Sequence, residues 1–114
     1  MKRIHCYLRV RRKEWCLTQQ ELADLVGTYR ERVRDVECGR VPPTANELVA
    51  YSFIFGRNPA EVFPAYAEAV QDAVMAAAYQ LSKNLESDES PKGPRKGELI
   101  QDMLARVTNY VDHV

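Results

Sequence analysis

The chain has 114 residues, with 16 basic side chains, 16 acidic side chains and three cysteines. This length suits one domain, or a small domain with an appendage, and no apolar run reaches the roughly 20 residues that a membrane helix requires. Three irregularly spaced cysteines do not build a disulfide framework, and the first residues lack the apolar core of a secretory signal. We therefore expect a cytoplasmic protein with no membrane partner.

Positive charge is concentrated at the start of the chain. Residues 1–40 carry ten basic and six acidic side chains, a net charge of +4, whereas residues 41–114 carry six and ten, a net charge of −4. A basic half is typical of a surface that contacts phosphate, although charge clustering of this size also arises by chance. The charge pattern therefore permits a nucleic-acid-binding protein without identifying one.

The first predicted helix covers residues 4–14, with Leu8 and Trp15 turned inward. After it, a residue that can cap a helix precedes a glutamate by three positions four times. Those pairs are Thr18 and Glu21, Thr28 and Glu31, Thr44 and Glu47, and Asn58 and Glu61. So dense a series of helix starts predicts an all-α chain.

The stretch from Thr18 to Glu37 is the centre of the prediction. Residues 19–26 and residues 29–38 each carry apolar side chains at helical spacing, and Gly27 lies where the chain must reverse between them. Ala23 is small enough for two helices to cross closely beside it. The pattern predicts a helix–turn–helix, in which two short helices meet at a steep angle.

Two more short helices are predicted at residues 45–55 and 59–63, and Pro64 is expected to interrupt the second. Residues 65–86 then form a long alanine-rich helix. Its apolar stripe consists of Tyr66, Val70, Ala73, Val74, Ala77, Leu81 and Leu85.

The remaining residues contain two prolines, two glycines and then a periodic segment. Residues 87–97 have the composition of a flexible linker. Residues 98–114 carry apolar side chains at steps of three and four, which predicts an amphipathic helix that needs a partner surface. The predicted domains are therefore 1–64 and 65–114.

These residues resemble a known family over the first 64 positions. The run LTQQELA…VG…V..VE.G…P, together with Leu8, Arg12, Leu48, Pro59, Glu61 and Phe63, is similar to the lambda-repressor/Cro-like (XRE) family of DNA-binding domains. The resemblance implies a five-helix, all-α helix–turn–helix domain that binds double-stranded DNA as a two-fold homodimer. The alanine-rich helix and the terminal helix lie outside it, and they are expected to extend the dimer interface or to bind a partner protein.

The resemblance also implies roles for single residues. Arg12 and Glu37 match an ion pair between the first and third helices, and Gln19 matches a contact to backbone phosphate. Arg30 and Arg34 are the expected guanine readers on the recognition helix, near residues 29–38. The full expected DNA-contacting set is Gln19, Thr28, Tyr29, Arg30, Glu31, Arg32, Arg34, Asp35 and Arg40.

Two more roles are expected on this face. Arg32 and Arg40 are expected to touch phosphate, and Thr28 is expected to cap the helix because tyrosine at position 29 cannot. The competing interpretation is a solvated helix whose charges compensate one another. Cys16 also departs from the family pattern, since glycine is common at that position.

Other chemistry finds no support in the sequence. No CxxC, HxxxH, phosphate loop or GxSxG motif occurs, so we expect no metal, no cofactor and no enzymatic activity. The leading hypothesis is a dimeric transcriptional repressor that reads an inverted-repeat operator. The alternative is an antitoxin or another protein-interaction module, whose last helices bind a partner protein. The operator, the regulated genes and the sign of regulation are not encoded in any visible motif.

Overall fold

Seven α-helices form the regular structure of the part of the chain that is described. The structure is a computed structural model that describes the backbone of residues 6–112 and the side chains of residues 6–107. In chain order the helices are α1 (Leu8–Glu14), α2 (Gln19–Val26), α3 (Arg30–Glu37), α4 (Ala45–Phe55), α5 (Pro59–Val62), α6 (Pro64–Leu85) and α7 (Gly93–Asp112). No strand occurs in this range, and the prediction of an all-α chain is confirmed. Among the same residues, no helix combines the length and hydropathy that crossing a lipid bilayer requires.

Three of the four predicted helix starts are capped by side chains. The side chains of Thr18 and Thr44 each accept a hydrogen bond from the backbone N–H of the glutamate three positions later. The side chain of that glutamate accepts a hydrogen bond from the backbone N–H of the threonine in return. Asn58 likewise accepts the N–H of Glu61 at 3.0 Å. These reciprocal bonds satisfy N–H groups that the first turn of a helix leaves unpaired, so the helix starts are set locally.

The start of α3 differs from its prediction. Tyr29 occupies the N-cap position in an extended conformation and makes no side-chain cap hydrogen bond. Thr28 therefore does not cap the helix, and the expectation that it caps one residue early is wrong. The reason is that Thr28 still belongs to the turn, where its N–H donates to the carbonyl oxygen of Ala23 at 2.9 Å.

The turn between α2 and α3 depends on Gly27. This residue has a φ of +85° and caps α2 by donating its N–H to the carbonyl oxygen of Ala23 at 2.9 Å. Glycine adopts a left-handed conformation without a Cβ penalty. The chain can therefore leave α2 and enter α3 within three residues.

Gly27→Ala is expected to lower the free energy of unfolding by about 1–2 kcal/mol, the usual cost of a left-handed conformation for a residue with a Cβ. No atom lies within 4 Å of a Cβ at this position, so conformation alone causes the loss. Gly97→Ala, in helical backbone and equally open space, is the matched control and should raise stability by about 0.5–1 kcal/mol. Urea denaturation compares them, and a Gly27→Ala chain as stable as the parent would contradict the prediction.

Helices α1 to α5 surround one apolar core. Its members share nearly complete burial: they are Leu8, Leu22, Ala23, Val33, Val36, Tyr51, Phe55, Val62 and Phe63. The rings of Tyr51 and Phe63 pack with centroids 5.9 Å apart. Because α2, α3 and α4 all contribute to this core, the outer face of α3 is held in a defined orientation.

Trp15 does not join that core, so the expectation that it turns inward is wrong. Leu8 and Arg12 are the buried residues of α1, and a continuing helix would place residue 15 on the same face. The helix instead ends at Glu14, and Cys16 takes a left-handed φ of 57°. The backbone leaves the packed face, and Trp15 is 68% exposed.

The first helix is also shorter than its prediction, which began at residue 4. The N–H of Tyr7 donates to the carbonyl oxygen of Val62 at 2.7 Å. This bond ties the chain to the end of α5 before the helix begins at Leu8. Positions 4 and 5 of the predicted helix lie outside the described residues.

Pro64 follows the end of α5, as expected, and is also the first residue of α6. A proline at the first helical position loses no hydrogen bond, because that N–H has no partner within the helix. The described chain divides into two compact units after Gln71, within α6. The domain bounds 1–64 and 65–114 remain a prediction from the sequence. The side chain of Tyr66, in the first turn of α6, packs against the core of the first unit.

The second unit begins at Asp72 and contains the rest of α6, a turn and α7. The helix α7 begins at Gly93, inside the segment predicted as a flexible linker, because Pro94 is tolerated in a first turn. In the turn, the N–H of Ser90 donates to Asp88 Oδ1 at 2.7 Å. Only residues 86–92 separate the two helices, and the linker prediction is wrong for residues 93–97.

The covered face of α6 in this unit shares only Leu85 with the predicted apolar stripe. Ala78 is buried and Met75, Ser82 and Leu85 are half-buried, at steps of three and four. The predicted members Ala73, Val74, Ala77 and Leu81 are all exposed. Steps of three and four are typical of a seam between packed helices. The covered seam lies beside the apolar stripe that the sequence predicted.

Candidate nucleic-acid interface

A buried ion pair joins α1 to the end of α3. Arg12 Nε donates to Glu37 Oε2 at 2.6 Å and Arg12 Nη2 donates to Glu37 Oε1 at 3.1 Å. Arg12 Nη1 also donates to the carbonyl oxygen of Leu17 at 2.8 Å. Both charged side chains are more than nine-tenths buried. The last turn of α3 is therefore fixed against α1 and the segment that leads into α2.

Gln19, the expected phosphate contact, belongs to the same network. Its Nε2 donates to Glu37 Oε1 at 3.1 Å, and the side chain is half-buried. An amide nitrogen carries two N–H groups, so one remains for an acceptor outside the protein. The ion pair thus orients Gln19 at the start of α2, where backbone N–H groups also favour an anion.

This network forms one wall of an open depression of about 870 Å³. Its lining combines basic and amide side chains with the start of α2: Arg9, Arg12, Thr18, Gln19, Gln20, Arg30, Glu37 and Cys38. Arg9 is exposed, and the one carboxylate among the lining residues, that of Glu37, is bound to Arg12. The depression therefore has the chemistry of an anion site.

Arg9 and Gln20 are absent from the DNA-contacting set that sequence reasoning proposed. The sequence does contain a signal for Arg9, because Arg9 precedes Arg12 by three positions and residues three apart share a helix face. Once Arg12 is placed beside α2, Arg9 must lie near the same side.

The exposed arginines of α3 are held only loosely. The side chains of Arg30 and Arg34 are 59% and 52% exposed. Their nearest carboxylates are those of Glu31 at 3.7 Å and Asp35 at 3.8 Å, which is too far for a hydrogen bond. Exposed ion pairs of this kind contribute little to stability. Both guanidinium groups can therefore exchange these neighbours for another acceptor.

Asp35 lies between two arginines. Its Oδ1 is 3.8 Å from Arg34 and 3.7 Å from Arg40, and this buried atom accepts no hydrogen bond. The carboxylate is well placed to hold both guanidinium groups on the outer side of α3. Of the other expected contacts, Tyr29 and Glu31 are exposed and Thr28 is half-buried.

Arg32 does not share the freedom of its neighbours. Its Nε and Nη2 each donate to the Glu47 carboxylate at 2.8 Å, and Nη2 also donates to the carbonyl oxygen of Pro42 at 3.0 Å. The hydrogen bonds to Glu47 raise the pKa of Arg32. Arg32 therefore joins α3 to α4, and its guanidinium, expected to contact phosphate, is engaged within the protein. The physical reason is that a step of two residues rotates a helix by about 200°, so Arg32 lies on the side of α3 opposite Arg30 and Arg34.

Glu47 makes the stability of this junction depend on pH. The hydrogen bonds from Arg32 lower the pKa of Glu47, and those from Thr44 lower it further. Because the pKa of Glu47 is lower in the folded state than in the unfolded state, its ionised carboxylate stabilises the fold. This stabilisation is complete above the unfolded-state pKa of about 4.3, and it is lost as the pH falls through the folded-state pKa.

We expect Glu47→Gln to reduce the free energy of unfolding by about 2 kcal/mol at pH 7, because hydrogen bonds between charged groups are replaced by weaker ones. The difference from the parent should shrink as the pH falls below about 4.3, where the parent carboxyl also becomes protonated. Urea denaturation at several pH values measures this difference. A difference that stays constant down to pH values well below this point would contradict the assignment.

The cysteines do not form a site in this region. Cys6, Cys16 and Cys38 are all free thiols. Burial raises the pKa of the Cys6 thiol, whose Sγ lies 3.6 Å from the carbonyl oxygen of Val36. Within the described residues, no group of three or more His, Cys, Asp and Glu side chains could hold a metal ion.

The geometry of the first unit can therefore be stated from its own residues. A rigid network positions the start of α2 and the end of α3, and two loosely paired arginines project from the outer face of α3. No protein-family model, curated protein sequence or solved structure matches the chain.

Proposed function

We propose that the chain is a sequence-specific DNA-binding regulator of transcription, and that α2 and α3 act as a helix–turn–helix of the lambda-repressor/Cro-like (XRE) kind. The observation that carries the proposal is the contrast along α3. Arg32 is bound on the inner side, whereas Arg30 and Arg34 are exposed and loosely paired on the outer side. A reading helix needs this combination, since its scaffold must be rigid while its base-contacting groups remain available.

The outer arginines suit base recognition. An arginine binds guanine O6 and N7 through two parallel hydrogen bonds in the major groove. Glu31 and Asp35 lie beside Arg30 and Arg34, and a carboxylate can accept a hydrogen bond from cytosine N4. Acidic groups also repel phosphate, so they favour selective binding over tight binding to any sequence.

Phosphate contacts are assigned to the residues around the open depression. Arg9, Gln19 and the start of α2 present N–H groups at one end of the proposed surface, and Arg40 presents its guanidinium just after α3. Contacts of this kind position a protein on the duplex without reading its sequence. The proposed DNA-contacting set is thus the expected one without Arg32 and with Arg9 added.

A dimer would give this small reading surface useful selectivity. Two recognition helices about 34 Å apart enter successive major grooves and read an inverted repeat. We propose that the protein acts in this way as a homodimeric repressor.

Selection of bound fragments from random duplexes tests the proposal most directly. We expect an enriched inverted repeat whose affinity exceeds that of random DNA by at least about 10³. A ratio below about tenfold would reject operator reading, because it falls far short of the ratios that specific binders reach.

A second candidate function is supported by a different observation. Leu99 and Leu104 of α7 are about half exposed, as they would be in a segment that binds another protein. An antitoxin would combine this role with DNA binding. A partner protein encoded beside the gene and bound by the second unit would favour this candidate.

A further inference from the structure

The predicted stripe of α6 remains open in the second unit. Val74, Ala77 and Leu81 follow one another at steps of three and four, and all three are exposed. We call these three residues the open seam. Their spacing is that of a packed helix–helix seam, yet the seam that is covered is the neighbouring one through Ala78.

The charges of α6 lie away from the open seam. Its 22 residues include only three charged side chains, Glu68, Asp72 and Lys83. At about 100° per residue, these three fall within one sector of about 60°, opposite the open seam. A helix with so narrow a charged face is usually covered on more than one side.

The two helices of the second unit have matched seams. Ala78 and Ile100 are both buried, and they lie seven positions from the ends of α6 and α7 that flank the turn. Met75 and Met103, each half-buried, lie ten positions from those ends. When two helices pack antiparallel across a turn, residues at equal distances from the turn face each other, because the rise per residue is the same in both helices. Burial of Ala78 and Ile100 at equal distances from the turn is the pattern that such packing produces.

This register places Leu99 on the same side of the hairpin as the open seam. On α6, each residue of the open seam comes one position before a covered residue, which is a rotation of about 100°. On α7, Leu99 likewise comes one position before the buried Ile100. In a pair of antiparallel helices, residues rotated in this same direction from the two facing surfaces lie on the same side of the pair. Leu99 is about half exposed, so the hairpin presents an apolar face made from both helices.

We infer that this face pairs with the same face of a second copy of the chain, so that two hairpins form a four-helix bundle. The inference builds on the dimeric mode of DNA reading proposed above and names its contact surface. Units of about 40 residues usually need disulfides, a metal or oligomerisation for stability. The second unit contains no cysteine, since the last one is Cys38, and the open seam offers oligomerisation.

Self-pairing suits the chemistry of this face. The open seam and the adjacent Ala73 and Gln80 are uncharged, so a two-fold copy meets it without repulsion between like charges. Ala73 and Ala77 are small enough to let two helix axes approach to about 8 Å. An acidic or basic partner would gain no ion pairs here.

Sedimentation of the full-length chain without DNA tests the inference. The parent should dimerise, and Leu81→Glu should weaken the dimer by at least about 30-fold, the loss typical of a central interface residue. Leu81→Ala keeps high helix propensity and should also weaken it, which guards against a variant that loses its helix. Tyr79→Glu, at an exposed position on the charged side of α6, is the control and should leave the dimer intact.

Several results would overturn the inference. They are a parent that remains monomeric, Leu81 variants that dimerise like the parent, and a dimer that dissociates with Phe53→Glu instead. Phe53 is 88% exposed on the uncharged outer side of α4 and is the strongest competing contact.

Failure of the inference is distinguishable from failure of the proposed function. If the seam variants still dimerise and the parent selects an inverted repeat, only the inference fails. If the dimer depends on Leu81 but binds all duplexes alike, only the proposed function fails.

Discussion

Glu37→Gln is expected to lower the free energy of unfolding of the first unit by about 3 kcal/mol, because it leaves a buried guanidinium without its counter-charge. Arg12 and Glu37 are more than nine-tenths buried and are joined by two hydrogen bonds of 2.6 and 3.1 Å. Glutamine retains the shape of the side chain, so the loss reports the charge and not a cavity. Urea denaturation followed by circular dichroism measures the change.

Glu14→Gln is the matched control for this prediction. Glu14 also pairs with an arginine of α1, Arg11, at 2.9 Å, but its side chain is 43% exposed. Exposed pairs of this kind contribute about 0.2–1 kcal/mol, so this variant should lie close to the parent. Removing both members of the buried pair, as Arg12→Met with Glu37→Leu, should recover most of the lost stability. Equal losses for Glu37→Gln and Glu14→Gln would show that burial is not what makes the Arg12 pair important.

Arg34→Ala is expected to relax the preference for a base at one position in each half-site, at a cost of about 1–3 kcal/mol for the best operator and little for random DNA. The side chain is half exposed and 3.8 Å from its only close carboxylate, on Asp35. After its removal the Asp35 carboxylate still lies 3.7 Å from Arg40 and is one-third exposed, so folding should change little. Binding to the selected operator and to every single-base variant of it measures the effect.

Arg9→Ala provides the contrasting result. A phosphate contact carries no sequence information, so this change should weaken binding to all duplexes nearly alike. The slope of log affinity against log salt concentration should fall in magnitude by about one. Arg9 lines the open depression beside Gln19. If Arg34→Ala also weakened all sequences alike, the assignment of base reading to Arg34 would be wrong, even if the protein binds DNA.

Local sequence signals predicted most helix boundaries of the first unit. The bounds of α2 and α4 agree with their predictions, because Thr18 and Thr44 form their caps with residues only three positions away. Gly27 and Gly56 end these helices in left-handed conformations. Such signals depend on neighbouring residues alone, so they can be read without a fold.

Side chains that interact across the fold were predicted less well. Arg30, Arg32 and Arg34 are the same residue type on one short helix, so residue type alone does not distinguish their roles. Only the packing of α3 against α4 brings Arg32 within 2.8 Å of Glu47 and leaves the other two outside. Arg9 was missed for the same reason, since its place at the depression depends on where α1 meets α2.

The sequence by itself determined that the described chain is helical and where several of its helices begin and end, because capping and periodicity act over a few residues. Only the tertiary structure decided which arginines remain available and which seam of α6 is covered. Those choices depend on burial and on partners distant in sequence, such as Glu47 for Arg32. A local pattern can identify the side chains suited to contact another surface, but packing determines which of them are already engaged.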